Sequence, residues 1–153
     1  MAKQSSGILV YRINNKQVQF FLVHPGGPFW KNKDEGAWSI PKGEYLDDED
    51  ALIAARREFE EETSQTINGD FAALTPVKLK SGKIVKAWLV EGNVDVENIV
   101  SNTCPVEWPP RSGKMIEIPE IDKAAWFDAE TAKIKINQAQ AAFIDEALDM
   151  IDQ

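Results

Sequence analysis

Glu58, Glu61 and Glu62 stand three and four positions apart at the end of a segment dense in carboxylates. Between Gly43 and Glu62, nine of the chain's twenty-five acidic residues fall in twenty positions, opposed only by Arg56 and Arg57. From about Glu49 to Thr63 the composition is Ala, Leu, Arg and Glu with neither Gly nor Pro, which predicts a helix. Asp47 or Asp48 is placed to cap its start, where acids suit the positive end of the helix dipole. At 100° per residue the three glutamates share an arc of about 100°. Ala51, Ala54 and Ala55 continue the same stripe, Glu49, Arg56 and Glu60 point away, and Leu52 and Phe59 form a flanking apolar edge. Small side chains let a helix approach another backbone closely. Like charges one turn apart repel by roughly a few tenths of a kcal/mol when exposed, and by far more when partly buried. A divalent cation reverses that sign, and oxygen-only donors suit Mg2+ or Mn2+. By composition alone, an acid-rich helix is more often a solvated face.

The spacing decides between these readings. Gly43, five residues, Glu49, seven residues, Arg57-Glu58-Phe59, one residue and Glu61-Glu62 resembles the Nudix box, G-x5-E-x7-R-E-U-x-E-E-x-G-U with U apolar, at seven specified positions in order. Trp38-Ser39-Ile40-Pro41-Lys42 before it looks like the Trp-x-x-Pro-Lys-Gly lead-in of many Nudix hydrolases. Two positions depart: the box's next glycine is Ser64 and its next apolar residue is Gln65. The glycine commonly supplies a left-handed turn that ends the helix, which serine adopts less readily.

The resemblance implies a Nudix-type α/β/α sandwich with a mixed sheet, and hydrolysis of a pyrophosphate linkage in a nucleoside diphosphate derivative with Mg2+ or Mn2+. Carried over by position, Glu58, Glu61 and Glu62 are expected metal ligands together with the Gly43 carbonyl. Arg57 is expected to orient the carboxylates by charged hydrogen bonds, and Glu49 to be a supporting acid. The base is either a box glutamate, Glu58, or a later-loop acid. Glu120, in Ile118-Pro119-Glu120-Ile121-Asp122, resembles that acid in the dinucleoside polyphosphate branch, with Glu117 as the fallback. The phosphates beyond reach of metal need positive partners, for which Lys42, His24, Lys83 and Arg111 are candidates. Trp30, Trp88 and Trp108 are candidates to stack a base, whereas Trp38 and Trp126 lie in expected strands and are expected to pack. The Pro-Lys-Gly form of the lead-in looks more like hydrolases of dinucleoside polyphosphates. Diadenosine polyphosphates are therefore the expected substrates, ahead of (d)NTPs and of ADP-ribose or another nucleotide sugar. The contrasting expectation, a nucleotide-binding regulatory domain without catalysis, fits poorly with a full set of box carboxylates.

The rest of the chain must position these groups. At 153 residues with 43% hydrophobic and 27% charged residues, the chain fits one compact domain and excludes a disordered or fibrous protein. Strands are expected over Ser6–Arg12 and Gln17–His24, as a hairpin around Asn14-Asn15, and over Ala37–Ile40. Phe71–Val94 reads as two strands around Ser81-Gly82-Lys83. Asn93–Asn102 is ambiguous, and Arg111-Ser112-Gly113-Lys114 is a turn. A last strand is expected at Ala124–Phe127 and an amphipathic terminal helix at Ile136–Ile151. The charge of −8 argues against a nucleic-acid or membrane surface as partner. No apolar run is long enough to span a membrane, and the start of the chain lacks an apolar signal segment. One cysteine, Cys104, allows no internal disulfide, so a reducing cytoplasm is the expected location. A small nucleotide is the expected partner, with the chain a monomer or homodimer. One histidine excludes a multi-histidine metal site, and the phosphate-loop pattern of P-loop NTPases is absent.

Overall fold

The structure, a computed structural model, describes residues 4–151. Its centre is a pair of strands, β1 (Gln4–Asn14) and β2 (Gln17–Pro25), whose apolar runs are buried on both faces. Alternation divides them. Leu9, Phe20 and Leu22 enter one core, while Ile8, Val10, Phe21 and Val23 enter another on the opposite side of the sheet. β3 (Lys42–Glu44) follows, then α1 (Ala51–Thr63), β4 (Ala72–Ala73), β5 (Val77–Lys78) and β6 (Ile84–Glu91). β7 (Thr103–Glu107) and β8 (Met115–Pro119) form a separate two-stranded hairpin. β9 (Ile121–Asp128), α2 (Ala129–Lys135) and α3 (Ala141–Ile151) complete the chain.

Among the described residues the main sheet has seven strands in the order β4–β6–β1–β2–β9, with β3 on β1 and β5 on β6. β1 runs parallel to β6 and antiparallel to β2. α1 covers one face through Ala55 and Phe59; α2 and α3 cover the other through Ala132, Phe143, Ile144 and Ala147. This is an α/β/α sandwich with a mixed sheet, as the resemblance implies. The small-residue stripe of α1 is what lets it lie close: Ala54 and Ala55 are fully buried.

β1 and β2 pair only near their hairpin, Tyr11–Asn14 against Gln17–Phe20. Beyond that point they part, and the segment before α1 enters the gap. The Ile8 N–H donates to the Pro41 carbonyl at 3.2 Å, and Val23 and Ser39 exchange two hydrogen bonds of 2.9 Å. Ser5–Gly7 then pairs with β3. The split in the sheet brings the start of the box to the end of α1.

Four expected elements differ. Phe71–Val94 holds three strands, β4, β5 and β6, instead of two, because the Thr75 N–H turns to Glu146 and Pro76 has no N–H to give the ladder. Ala37–Ile40 is no continuous strand: Trp38 and Ser39 make isolated bridges to Ile136 and Val23, since each meets a different partner. The helix starts at Ala51, not Glu49, because the Asp50 side chain accepts from the Ile53 N–H and becomes the N-cap in place of Asp47 or Asp48. Ile136–Ile151 is not one helix, since Ile136 leaves α2 in extended geometry and Asn137 caps a short 3-10 turn ahead of α3. α2 itself was not expected; Asp128 caps it by accepting from the Thr131 N–H at 2.8 Å. The ambiguous 93–102 stretch holds a 3-10 turn over Val96–Asn98. Ser64 does adopt the left-handed backbone, at φ 63°, and its N–H closes α1 on the Glu60 carbonyl at 2.7 Å.

Candidate active site

α1 presents its carboxylates at the mouth of the split. Glu62 is the most deeply set. One of its oxygens accepts from the Lys42 backbone N–H at 3.0 Å. Burial pushes its pKa up to about 8, the charges of Glu120 and Glu58 add to the rise, and the Lys42 ammonium opposes it. Glu58, 14% exposed, is raised by burial and by Glu61, with Arg57 pulling the other way. Glu120, in the link between β8 and β9, is raised by burial and then by Glu61. Glu58, Glu62 and Glu120, the last from a distant part of the chain, are thus each raised in part by a neighbouring carboxylate.

Arg57 binds the rim of this cluster. Its guanidinium makes a forked pair with Glu49 (3.0–3.1 Å) and reaches Glu58 at 2.9 Å and Glu61 at 3.4 Å. Burial alone would lower its pKa, but its bonds and charge pairing with Glu49 and Glu58 raise it. Glu49 lies outside the helix, in the turn before it, so it does not point away as a helical projection has it; it folds back onto Arg57. Gly43, in β3, packs its α-carbon against the Glu58 carboxylate so closely that a Cβ would overlap it.

The donor set suits a hard divalent cation. It consists of oxygens only, it carries mutually repelling charges, and the bare Gly43 leaves a cradle that any side chain would fill. Among the described residues no three acidic, histidine or cysteine side chains are already gathered as a metal cage. Arg57 draws on Glu58 and Glu61 while the Lys42 N–H holds Glu62.

Beside the carboxylates opens a cleft of about 230 Å³ whose walls include Trp30, Ser39, Lys42, Glu62, Glu120 and Gln140. Burial depresses the Lys42 ammonium, Lys83 adds to that, and Glu62 and Glu44 oppose it. Trp30 meets Phe29 edge to face at 5.0 Å, and the Lys33 ammonium lies over both rings. Lys83 is paired with Glu44 at 3.2 Å.

Three other candidates are placed elsewhere. β6 turns Trp88 toward the α1-side core, half-buried and outside the cleft. Trp108 and Arg111 sit at the turn of the β7–β8 hairpin, where the Trp108 N–H bonds the Lys114 carbonyl and the Arg111 N–H bonds Glu107. His24 is corrected as a phosphate partner. It is 1% exposed, with Nδ1 at 2.7 Å from Asp122 and Nε2 at 2.6 Å from the Lys33 carbonyl. Trp38 packs edge to face on His24 and Phe127, and Trp126 on Phe21. Glu117 lies exposed on β8.

Sequence reasoning passed over the polar floor of the cleft. Gln140 is 1% exposed; its carbonyl accepts from the Ile40 N–H at 3.1 Å and its amide donates to Ser39 at 3.1 Å. A signal existed: Gln140 stands three and four positions before the buried Phe143 and Ile144, on an apolar face where a polar residue needs a partner. Asn137 also lines the cleft, its N–H bonding the Trp38 carbonyl at 2.7 Å.

Comparison with known proteins agrees with this geometry. No curated protein sequence matches the chain significantly. Among solved structures, an Ap4A hydrolase of C. elegans in a binary complex superposes with a TM-score of 0.67 at 19% identity, over 97% of this chain and 98% of that one. The NUDIX domain of Shewanella oneidensis NrtR, complexed with ADP ribose, gives 0.65 at 15% identity over 99% and 89%. A mutT/nudix family protein from Listeria innocua gives 0.64 at 19% over 98% and 94%. These likenesses establish the fold. The NUDIX domain pattern matches residues 3–147. With that match across the chain, Glu58, Glu61 and Glu62 on α1 and Glu49 in the turn before it, the chain belongs to the Nudix family and is a hydrolase of pyrophosphate bonds.

Proposed function

We propose that this chain hydrolyses a dinucleoside polyphosphate, diadenosine tetraphosphate being the favoured substrate, with Mg2+ or Mn2+. The observation that carries the reading is Glu120, a distant acid standing close enough to Glu62 and Glu58 to raise their pKa values and itself raised by Glu61, in a chain whose lead-in is Pro41-Lys42-Gly43. The fold shared with a protein described as an Ap4A hydrolase supports it.

Glu58, Glu61, Glu62 and the Gly43 carbonyl are the groups that would hold the cation. When bound, it neutralises the polyphosphate and lowers the pKa of a coordinated water. Glu120 takes the proton of the attacking water, a task for which a raised carboxylate pKa is suited near neutral pH. Arg57 holds Glu49 and Glu58 in orientation. Lys42 meets a phosphate, Trp30 stacks a base at the cleft wall, and Lys83, near enough to Lys42 to lower its pKa, adds positive charge beside it. Trp88, Trp108 and Arg111 have no part in this reading, since Trp88 turns to the α1-side core and Trp108 and Arg111 sit on the turn of the β7–β8 hairpin. No helix among the described residues is long and apolar enough to cross a membrane. The reading assigns the reaction to the cytoplasm, by a monomer or homodimer acting on a small nucleotide.

The test is a hydrolysis screen over dinucleoside polyphosphates, (d)NTPs, ADP-ribose and nucleotide sugars, with EDTA controls and product identification. The expected result is the highest kcat/KM for diadenosine tetraphosphate. A higher value for ADP-ribose or a (d)NTP overturns the substrate, and tight nucleotide binding without any turnover overturns the reaction.

A further inference from the structure

We propose that Ser64 and Gln65, the two positions where the sequence departs from the Nudix box, are positioning residues that hold Glu120 in register with the carboxylates of α1. The inference rests on the reading that Glu120 acts in hydrolysis.

The last turn of a helix leaves carbonyls without intrahelical donors. Here the Glu61 carbonyl accepts from the Asn102 N–H and the Thr63 carbonyl from the Val100 N–H, each at 3.3 Å. Ser64 completes the second contact, its hydroxyl donating to the Val100 carbonyl at 2.5 Å. Gln65 clamps the start of the same segment. Its carbonyl accepts from the Asp95 N–H at 2.9 Å, and its amide donates to the Asp95 carbonyl at 2.8 Å and the Asn98 carbonyl at 3.4 Å. The far end of the segment passes this constraint on. The Asn102 carbonyl accepts from the Glu120 N–H at 2.8 Å, the Ser101 hydroxyl accepts from the Ile121 N–H at 3.0 Å, and the Glu120 carbonyl accepts from Gly26 at 3.0 Å.

Asn102 therefore bridges the backbones of Glu61 and Glu120, and segment 95–102 is a strap from the end of α1 to the distant acid. A glycine at 64 would take the same left-handed backbone without strain, and an apolar residue at 65 would be helix-exit filler. Neither has a side chain that reaches the strap. The two polar residues replace the more easily adopted backbone with hydrogen bonds that determine where Glu120 stands.

The experiment compares S64G/Q65L, Glu120→Gln and the triple variant, assayed with Mg2+ on diadenosine tetraphosphate or the best substrate of the screen, alongside thermal melts. The proposal expects S64G/Q65L to stay folded, because glycine suits φ 63°, and to lose kcat by about 10- to 100-fold with KM little changed, the effect of misplacing a reacting group. In the Glu120→Gln background the same pair should cost almost nothing more, since its effect runs through Glu120. An equal loss in both backgrounds overturns the proposal as a general packing effect. Unchanged kcat in S64G/Q65L, with a large loss in Glu120→Gln, overturns the strap and leaves the role of Glu120 standing. Unchanged kcat in Glu120→Gln overturns that role and the strap with it. Q65L alone, which leaves the helix terminus intact, gives the same reading should the double variant unfold.

Discussion

The α-carbon of Gly43 lies against the Glu58 carboxylate with no room between them for a methyl group. The contact joins the two ends of the box, because β3 is pinned to β1 by backbone pairing while Glu58 rides on α1. Gly43→Ala should therefore displace the Glu58 carboxylate and not merely strain the turn. The expected outcome is at least a tenfold rise in the Kd for Mn2+, read by titration, with a comparable fall in kcat/KM. Unchanged metal affinity would detach Gly43 from the metal site.

Glu58→Gln and Glu62→Gln should lose most turnover while remaining folded, and Glu61→Gln should bind Mn2+ more weakly than the wild type. Glutamine keeps the volume but not the charge. Without metal and above pH 8, where Glu62 is ionised as well, removing a charge from a repelling, partly buried cluster should leave the fold as stable or more stable, which a melt in EDTA measures. Activity near the wild-type level would mean that the carboxylates are only a solvated face.

The same burial makes stability depend on pH. Glu62 titrates at about 8 in the fold against 4.5 as its ordinary value, so between those pH values the native state retains a proton that the unfolded chain has released. The stabilisation is complete below about 4.5 and is lost as pH rises through about 8. Glu58 and Glu120, also raised, push in the same direction. The Tm of metal-free protein should thus fall from pH 5 to pH 8.5, and Glu62→Gln should flatten the slope. Saturating Mg2+ should restore the Tm at the alkaline end. A Tm that climbs over this interval contradicts the assignment.

Glu120→Gln should lower kcat by roughly 10²–10⁴-fold, the usual contribution of a positioned general base, and should remove the acidic limb of the pH profile. If Glu58 is the base instead, that limb survives in Glu120→Gln. A double variant little worse than the poorer single would indicate that both act in one step.

His24 joins β2 to Asp122 and to the loop that carries Trp30, through the Lys33 carbonyl. His24→Phe removes the ring nitrogens that meet Asp122 and the Lys33 carbonyl, at a cost of about 1–3 kcal/mol for lost hydrogen bonding at a buried position. The measurable outcomes are a lower Tm and a higher KM with kcat less affected, because the disturbed element lines the cleft and does not carry the acids of α1.

What the sequence determined by itself is what depends on neighbours along the chain. Helical periodicity puts Glu58, Glu61 and Glu62 on one side because three and four residues make a turn, and Ala54 and Ala55 lie beneath them for the same reason. The box spacing identifies the chemistry, and the apolar runs around Asn14-Asn15 announce β1 and β2 as a hairpin. Tertiary structure decided everything that joins distant residues. Asp50, not Asp47 or Asp48, caps α1, and Glu49 turns back to Arg57, because the preceding chain is already committed to β3. Trp38 and Ser39 bridge different partners and so form no strand. The last helix breaks at Ile136 and Asn137, where backbone groups pair with Trp38 instead of continuing the helix. Burial removes His24 from solvent, the alternation of β6 turns Trp88 toward the core, and a separate hairpin carries Trp108 and Arg111. Glu120 is tied to the end of α1 through Asn102, whose N–H meets the Glu61 carbonyl and whose carbonyl meets the Glu120 N–H. That contact is made by backbone groups, which every residue carries, so no pattern of side chains along the chain encodes it.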